Sequence, residues 1–225
     1  MPVAMPLQPA TTPTDSADAV RSNMIDRQAT ALIKPWITAL AKHLSAAGIG
    51  ANALTFTGFA VGALGALLIA GHEFAWALAA IVVSRLLDAL DGAVARLTMP
   101  TDRGGFLDIT LDFLFYASIP LAFAVADPGR NALAAAALLA AFMGTGSSFL
   151  AFATIAAKRG MTSTDYPDKS FFFLGGLAEA GETLAFFAAM CLWPQHFALW
   201  AYGFALLCAL TMVSRMVGGW HALRL

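Results

Sequence analysis

Six apolar stretches, each close to the length of a bilayer crossing, occupy most of the chain. About 20 apolar residues span a bilayer. The pattern predicts membrane-spanning helices over 52–70, 74–96, 105–126, 131–157, 170–193 and 196–217. The fourth stretch is long enough that its helix must tilt or emerge from the bilayer. We therefore expect an all-α integral membrane protein, with residues 24–225 forming one membrane-embedded domain.

Two segments precede the first stretch. Residues 1–23 are rich in Pro, Thr, Ala and Asp and predict a disordered cytoplasmic tail. Residues 29–46 place apolar side chains on one side of a helix, which indicates a cytoplasmic amphipathic helix at the membrane surface. A soluble helix packed on another protein is the alternative, and the six apolar stretches that follow favour the membrane. Asn52 is a candidate cap of the first span.

Composition supports the membrane assignment. Of 225 residues, 59% are hydrophobic and 12% are charged, and the mean hydropathy is +0.72. Soluble domains have about 25% charged residues, so an ordinary soluble enzyme is excluded. The net charge of −1 argues against nucleic acid as a partner.

Basic residues predict the orientation of the spans. Alternate connections carry nearly all of them, including Arg103, Lys158, Arg159 and Arg224, whereas the opposite connections carry Arg130. The positive-inside rule therefore predicts cytoplasmic N- and C-termini and an even number of spans. Within the first span, Gly58 and Gly62 form a GxxxG pattern, which fits either a close helix crossing or chance in a Gly- and Ala-rich segment.

Acidic residues cluster where the second and third spans approach the cytoplasm. Asp88 and Asp91 are three residues apart and Asp108 and Asp112 are four apart, so each pair shares a helix face. Counted from the cytoplasmic ends, both pairs lie about two turns deep or less on antiparallel helices. We therefore expect the four carboxylates to converge.

Four facing carboxylates would repel one another at low dielectric unless protons or cations lie between them. Hard divalent cations prefer oxygen ligands, and Mg²⁺ commonly combines a few carboxylates with phosphate oxygens. No His or Cys lies nearby to suggest zinc or iron. Carboxylates that are merely solvated at helix ends are the alternative, which the spacing of four acids disfavours. Next to the acids, Gly92 and Ala95 would leave a groove through which a phosphate could approach the backbone.

Together these residues resemble the signature of the CDP-alcohol phosphatidyltransferases. The match is Asp88-x₂-Asp91-Gly92-x₂-Ala95-Arg96-x₇-Gly104-x₃-Asp108-x₃-Asp112. The family usually has one residue more between the Arg and the second Gly than the seven found here. The missing residue falls in the predicted cytoplasmic turn, so it leaves the metal assignments intact and changes only the length of that turn.

The resemblance implies transfer of a substituted phosphate from a CDP-linked lipid, typically CDP-diacylglycerol, to an alcohol, with release of CMP. It also implies a homodimer and a site for two divalent ions, Mg²⁺ or Mn²⁺. By position, Asp88, Asp91 and Asp108 would be metal ligands, and Asp112 would be the proton acceptor and a further ligand. The implied contacts to the CDP group are Asn52, Thr55, Gly92, Ala95, Arg96, Thr101 and Gly104.

Two other functions fit parts of the pattern. A UbiA-like prenyltransferase also uses aspartates and Mg²⁺ on a pyrophosphate, but usually has more spans and differently spaced, Asn-containing motifs. A membrane cation carrier would explain the acids but not Gly92, Arg96 and Gly104 at these spacings. The acceptor alcohol stays open among glycerol phosphate, inositol or its phosphate, serine and choline. Lys158 and Arg159 could bind an acceptor phosphate or serve only as topology charges.

One basic residue of the second span lies outside the family signature. Arg85 lies deeper than Asp88, at a depth that matches Glu179 and Glu182 in the fifth span within about one helical turn. An ion pair would partly offset the cost of burying both charges. We therefore expect Arg85 to pair with one of these glutamates. The alternatives are that Arg85 neutralises Asp88 directly, or that the glutamates line the acceptor pocket.

Overall fold

The computed structural model describes residues 34–160 and 180–224, and the regular elements within these ranges are helical. The first helix, α1, covers 34–46. The following helices are α2 (Ala51–Ala70), α3 (Phe74–Thr98), α4 (Asp102–Ala126), α5 (Pro128–Lys158), α6 (Ala180–Leu192) and α7 (Phe197–Ala222), with a short 3-10 turn at Pro194–His196. For the described residues, the predicted all-α class is confirmed.

Four of these helices are long and apolar enough to cross a membrane. They cover Ala51–Ala70, Asp102–Ala126, Pro128–Lys158 and Pro194–Ala222. Helix α3 is as long as α4 but carries the charged residues of the second predicted span, and α6 has 13 residues in the described part of the chain. The predicted tail and the first part of the fifth predicted span lie outside the described residues. The six-span count therefore stays a prediction.

Helix α2 organises the half of the molecule that carries the aspartates. It packs against both α3 and α4, while α5 packs against α4 and α7. The chain reverses through 71–73 and again through 99–101, so α3 runs antiparallel to both of its sequence neighbours. Both acid-bearing helices are thereby held on α2, with the end of α3 and the start of α4 on the same side.

A core of aromatic side chains fixes the opposite end of the helices. Phe123 near the end of α4 stacks on Phe197 at the start of α7, with ring centroids 4.5 Å apart, and both rings are buried. Phe74 at the start of α3 also stacks on Phe123, with ring centroids 5.8 Å apart. Burial of large rings is a major source of packing energy, so this end ties α3, α4 and α7 together.

The glycine pattern of α2 marks a close helix crossing. A Cβ atom at Gly58 would lie 3.2 Å from Leu87 Cβ and 3.4 Å from the carbonyl oxygen of Ser84 on α3. One at Gly62 would lie 2.8 Å from Ser84 Oγ. The Ser84 hydroxyl donates a 2.7 Å hydrogen bond to the Gly58 carbonyl. Of the two interpretations of GxxxG, the structure supports close crossing.

Helix α1 packs on the site end of α2 and α3. Ala41 is fully buried in a cluster with Leu54, Leu90 and Val94, while Trp36 is 79% exposed. The described part of this segment is thus helical as predicted, and its position at a membrane surface stays a prediction.

The expected cap at Asn52 is wrong. Helix α2 begins at Ala51, its capping position is Gly50, and no side chain caps it. Asn52 therefore lies inside the first turn of the helix, where its side chain extends towards the start of α4. The capping position lies two residues earlier than expected, which accounts for the difference.

Candidate functional site

Three of the four predicted aspartates come together between α3 and α4. One carboxylate oxygen each from Asp88, Asp108 and Asp112 lies within 4.8 Å of the others. The three- and four-residue spacings put these side chains on facing sides of two helices that α2 holds in place. Asp88 therefore lies close to Asp108 and Asp112 at one end of the bundle, although it precedes them by 20 or more residues in the sequence.

Asp91 lies one turn further along α3 and is set apart from this triplet. It is only 5% exposed, and its Oδ2 atom has no hydrogen-bond partner among the described residues. A buried carboxylate oxygen without a partner carries a large desolvation cost. The structure therefore leaves this oxygen of Asp91 without a partner among the described residues, and its part in a metal site stays a prediction.

A pocket opens beside the aspartates. Its lining comes from α2, α3 and α4 and consists of Thr55, Gly58, Phe59, Arg85, Asp88, Asp108, Leu111 and Asp112. Thr55 was expected at the CDP group and does line this pocket. The donor atoms around it are carboxylate and hydroxyl oxygens, which are the ligands that hard divalent cations prefer. The residues present thus fit Mg²⁺ or Mn²⁺.

Arg85 is part of the same pocket. Its Nη1 atom lies 2.7 Å from Asp112 Oδ1 and 3.5 Å from Asp88 Oδ1. The alternative that Arg85 neutralises Asp88 directly agrees with the second contact. Glu179 lies outside the described residues, and Glu182 is half-buried on α6. The predicted pairing of Arg85 with a glutamate therefore stays a prediction.

Other residues expected at the CDP group fall into two places around the pocket. At the start of α4, a Cβ atom on Gly104 would lie 3.1 Å from Thr101 Oγ1 and 3.2 Å from Asn52 Oδ1. Thr101 also caps α4, because its hydroxyl accepts a 3.1 Å hydrogen bond from the Gly104 amide. The structure thus brings these three residues together, although they lie on two helices and the turn before α4.

The second place is the last two turns of α3. A Cβ atom on Gly92 would meet only Arg96 Nη1, at 3.4 Å, within 4 Å. Ala95 is half-buried and Arg96 is exposed. The predicted groove beside Gly92 is therefore open except for a flexible guanidinium group.

The basic pair at the end of α5 lies apart from the pocket lining. Lys158 and Arg159 are both exposed, and Arg159 Nη1 donates a 2.8 Å hydrogen bond to the carbonyl oxygen of Leu223. Arg159 therefore links the ends of α5 and α7. Binding of an acceptor phosphate by either residue stays a prediction.

Sequence analysis missed several residues that the structure shows in polar contacts, three of them around Arg85. Ser84, Phe115 and Tyr116 surround Arg85, and Arg215 on α7 donates to the carbonyl oxygen of Thr145 at 3.3 Å. Arg215 could have been identified from the sequence, because it is an ionisable residue inside an apolar stretch. For Ser84, the signal was a hydroxyl one residue from a buried arginine.

Comparison with known proteins gives the chain its family. The family model described as CDP-alcohol phosphatidyltransferase matches residues 49–216. The chain is 47% identical over 201 residues to Inner membrane protein YnjF of Escherichia coli, covering 89% of this chain and 98% of that protein. It is 42% identical over 93 residues to Archaetidylinositol phosphate synthase of Pyrococcus horikoshii, covering 39% of this chain and 47% of that protein.

Two solved structures share the fold. Both are of phosphatidylinositol phosphate synthase PgsA1 of Mycobacterium tuberculosis, one with CDP-DAG bound and one in complex with manganese and citrate. The first has a TM-score of 0.65 at 21% identity and covers 82% of this chain and 93% of that chain. The second has a TM-score of 0.64 at 21% identity, with 82% and 88% coverage. The family match spans most of the described helices and includes every aspartate of the site, so the chain belongs to the CDP-alcohol phosphatidyltransferase family.

Proposed function

We propose that this protein transfers a phosphatidyl group from a CDP-linked lipid such as CDP-diacylglycerol to an alcohol and releases CMP. The observation that carries the proposal is the group of Asp88, Asp108 and Asp112 within 4.8 Å, inside the part of the chain that matches the family. The PgsA1 structure with CDP-DAG bound supports the donor class, because it has the same fold.

The same aspartates would hold two divalent ions, Mg²⁺ or Mn²⁺, together with Asp91. When bound, such ions would neutralise charge on the pyrophosphate and on the CMP that leaves. The oxygen-only donor set and the unpartnered Oδ2 atom of Asp91 support this assignment. The manganese complex of PgsA1 fits metal use by a protein of this fold.

Asp112 would act as the proton acceptor for the attacking hydroxyl. Its Oδ1 atom accepts a 2.7 Å hydrogen bond from Arg85 Nη1, and its side chain is 30% exposed, so part of the carboxylate is accessible to a substrate. A carboxylate that is held through one oxygen and is partly exposed can accept a proton from a hydroxyl group placed within hydrogen-bond reach. The attacking oxygen then forms its bond to phosphorus as the bond to the CMP oxygen breaks.

The nucleotide would lie over the last turns of α3 and the start of α4. Gly92 and Ala95 leave the backbone of α3 accessible, and Arg96 offers a guanidinium group to a phosphate. The cluster of Asn52, Thr101 and Gly104 supplies oxygen acceptors and a close backbone approach for the rest of the CDP group.

The site would lie near the cytoplasmic face of an inner-membrane homodimer. The described basic residues of the connections collect at the aspartate end, and Arg130 lies at the other. By the positive-inside rule, the aspartate end and both termini would lie in the cytoplasm. The relative named as an inner membrane protein supports the location. This orientation gives a water-soluble CMP product direct access to the cytoplasm.

The test is divalent-ion-dependent release of CMP from CDP-diacylglycerol by the purified protein, with a panel of alcohols and identification of the lipid formed. The panel includes inositol phosphate, because of the partial archaeal relative, and glycerol phosphate, inositol, serine and choline. Absence of CMP release with every alcohol would reject the proposal. A carrier would move ions without CMP release, and a prenyltransferase would consume a prenyl pyrophosphate instead.

Substitution of each aspartate tests the role proposed for it. Asp88→Asn, Asp91→Asn and Asp108→Asn should each reduce metal-dependent transfer about 100-fold or more, because each removes a charged oxygen ligand. Asp112→Asn should lower kcat much more than it raises KM for the CDP-lipid, because the lost role belongs to the chemical step. Asp127→Asn is the matched control, since Asp127 is exposed at the opposite end of the helices.

A further inference from the structure

Arg85 is held on three sides within the aspartate pocket. Its side chain is 15% exposed, Nη1 contacts Asp112, and Nη2 lies 3.3 Å from Ser84 Oγ. The guanidinium carbon lies 4.0 Å from the centroid of the Phe115 ring. A guanidinium group on an aromatic face gains cation–π attraction, and more so where it is desolvated.

The groups that hold Arg85 are themselves fixed. The Ser84 hydroxyl donates to the Gly58 carbonyl of α2 at 2.7 Å, and Ser84 is fully buried. Phe115 is 1% exposed in the main core. The chain of contacts therefore runs from α2 through Ser84 and Arg85 on α3 to Asp112 on α4.

This chain of contacts reaches Asp112 Oδ1, the oxygen nearest to Arg85 Nη1 at 2.7 Å, while Asp88 Oδ1 lies further from the same nitrogen at 3.5 Å. We propose that Arg85 is a positioning residue for the transfer reaction: it fixes Asp112 through Oδ1 and so orients Oδ2 towards the acceptor hydroxyl. The inference rests on the role proposed for Asp112 and adds the residue that sets its geometry. Arg85 itself touches neither donor nor acceptor in this proposal.

The geometry requires arginine rather than any cation. Two different guanidinium nitrogens serve Asp112 and Ser84, while the planar group stacks on Phe115. A lysine ammonium is a compact charge on a flexible stem and lacks the planar fork. Arg85→Lys therefore keeps the charge next to the aspartates and removes the orientation.

The experiment compares the wild type with Arg85→Lys, Arg85→Met and Ser84→Ala in CMP release from CDP-diacylglycerol. The acceptor is the alcohol that the wild type uses best. Arg85→Lys should lower kcat about 10- to 100-fold, as loss of groups that orient functional ligands commonly does, and leave KM for the CDP-lipid within about twofold. Ser84→Ala should lower kcat in the same direction by a smaller factor, because it frees one nitrogen of the guanidinium group.

Two further measurements separate positioning from a structural role. Mn²⁺ binding in the absence of substrate and the thermal midpoint in EDTA should both stay close to wild type in Arg85→Lys. Arg130→Lys is the matched control, since Arg130 is 68% exposed at the opposite end. If Arg85→Met fails to fold, Arg85→Lys and Ser84→Ala still decide the question.

The outcomes are distinct. Wild-type kcat in Arg85→Lys, or a rise in KM with kcat unchanged, overturns the positioning role while leaving the proposed function intact. A wild-type protein that releases no CMP with any alcohol overturns the proposed function and this inference together.

Discussion

A single methyl group added at Gly62 should disturb both the packing of α2 and the support of Arg85. The new Cβ atom would lie 2.5 Å from Phe115 Cδ2 and 2.8 Å from Ser84 Oγ. Real Cβ atoms essentially never come this close to neighbours, so the ring or the helix must move. Both neighbours are buried, and both contact Arg85.

The expected loss of stability is modest but measurable. Overpacking a well-packed core costs about 1–3 kcal/mol, and replacing a helical glycine by alanine returns about 0.5–1 kcal/mol. A net loss of about 1–2 kcal/mol should lower the thermal midpoint by about 2–8 °C for a chain of this size. Because the displaced ring carries Arg85, kcat should fall as well.

The matched control on the same helix is Gly65→Ala. Its Cβ atom would lie 3.4 Å from the Ala77 carbonyl oxygen, Ala80 Cβ and Ile81 Cγ1, which is ordinary van der Waals contact. This variant should therefore melt at or above the wild-type temperature. Unfolding is followed in detergent by tryptophan fluorescence at one heating rate, because irreversible melts depend on scan rate. A Gly62→Ala protein that melts at or above wild type would refute the packing argument.

Three other substitutions test separate parts of the molecule. Gly104→Ala should raise KM for the CDP-lipid several-fold with little change in thermal midpoint. The reason is that its Cβ atom would lie 3.1 Å from Thr101 Oγ1 and 3.2 Å from Asn52 Oδ1. An unchanged KM would show that this turn does not contact the nucleotide. Asp91→Asn should raise the thermal midpoint in EDTA, because it removes a buried charge with an unpartnered oxygen; a lower midpoint would contradict that reading. Arg130→Ala should change the free energy of unfolding by less than about 0.5 kcal/mol, since its ion pair is exposed; a larger loss on thermal unfolding would show an unexpected structural role.

Local sequence signals were sufficient for the bounds of α2 and α3. The predicted spans 52–70 and 74–96 correspond to Ala51–Ala70 and Phe74–Thr98. Apolar runs end at polar or glycine-containing linkers, and both features are local. The convergence of Asp88, Asp108 and Asp112 was also predictable, because helical spacing fixes the face and counting from a shared turn fixes the depth.

The sequence alone did not predict how each helix is rotated about its own axis relative to its neighbours. Counting residues from the ends of the spans gave Arg85 about the same depth as the glutamates of the fifth span and as the aspartates. In the structure, the shortest ion pair of Arg85 is with Asp112. The same limit left Gly58 and Gly62 evenly balanced between packing and chance, since the partner helix decides which side of α2 is crowded. Because the capping position of α2 lies two residues earlier than expected, Asn52 is a neighbour of Gly104 and not a cap.

The contacts of Arg85 also bear on why a metal is still expected beside it. Two like unit charges 4.8 Å apart repel by about 3.5 kcal/mol at an effective dielectric constant near 20, and Asp88, Asp108 and Asp112 form three such pairs within that distance. One guanidinium group compensates only part of this repulsion, since its ion-pair distances are to Asp112 and Asp88. The ion pairs of Arg85 among the described residues do not include Asp108, although both side chains line the same pocket. Under the proposed function, the arginine therefore orients one carboxylate, and divalent cations would compensate the remaining charge of the acids.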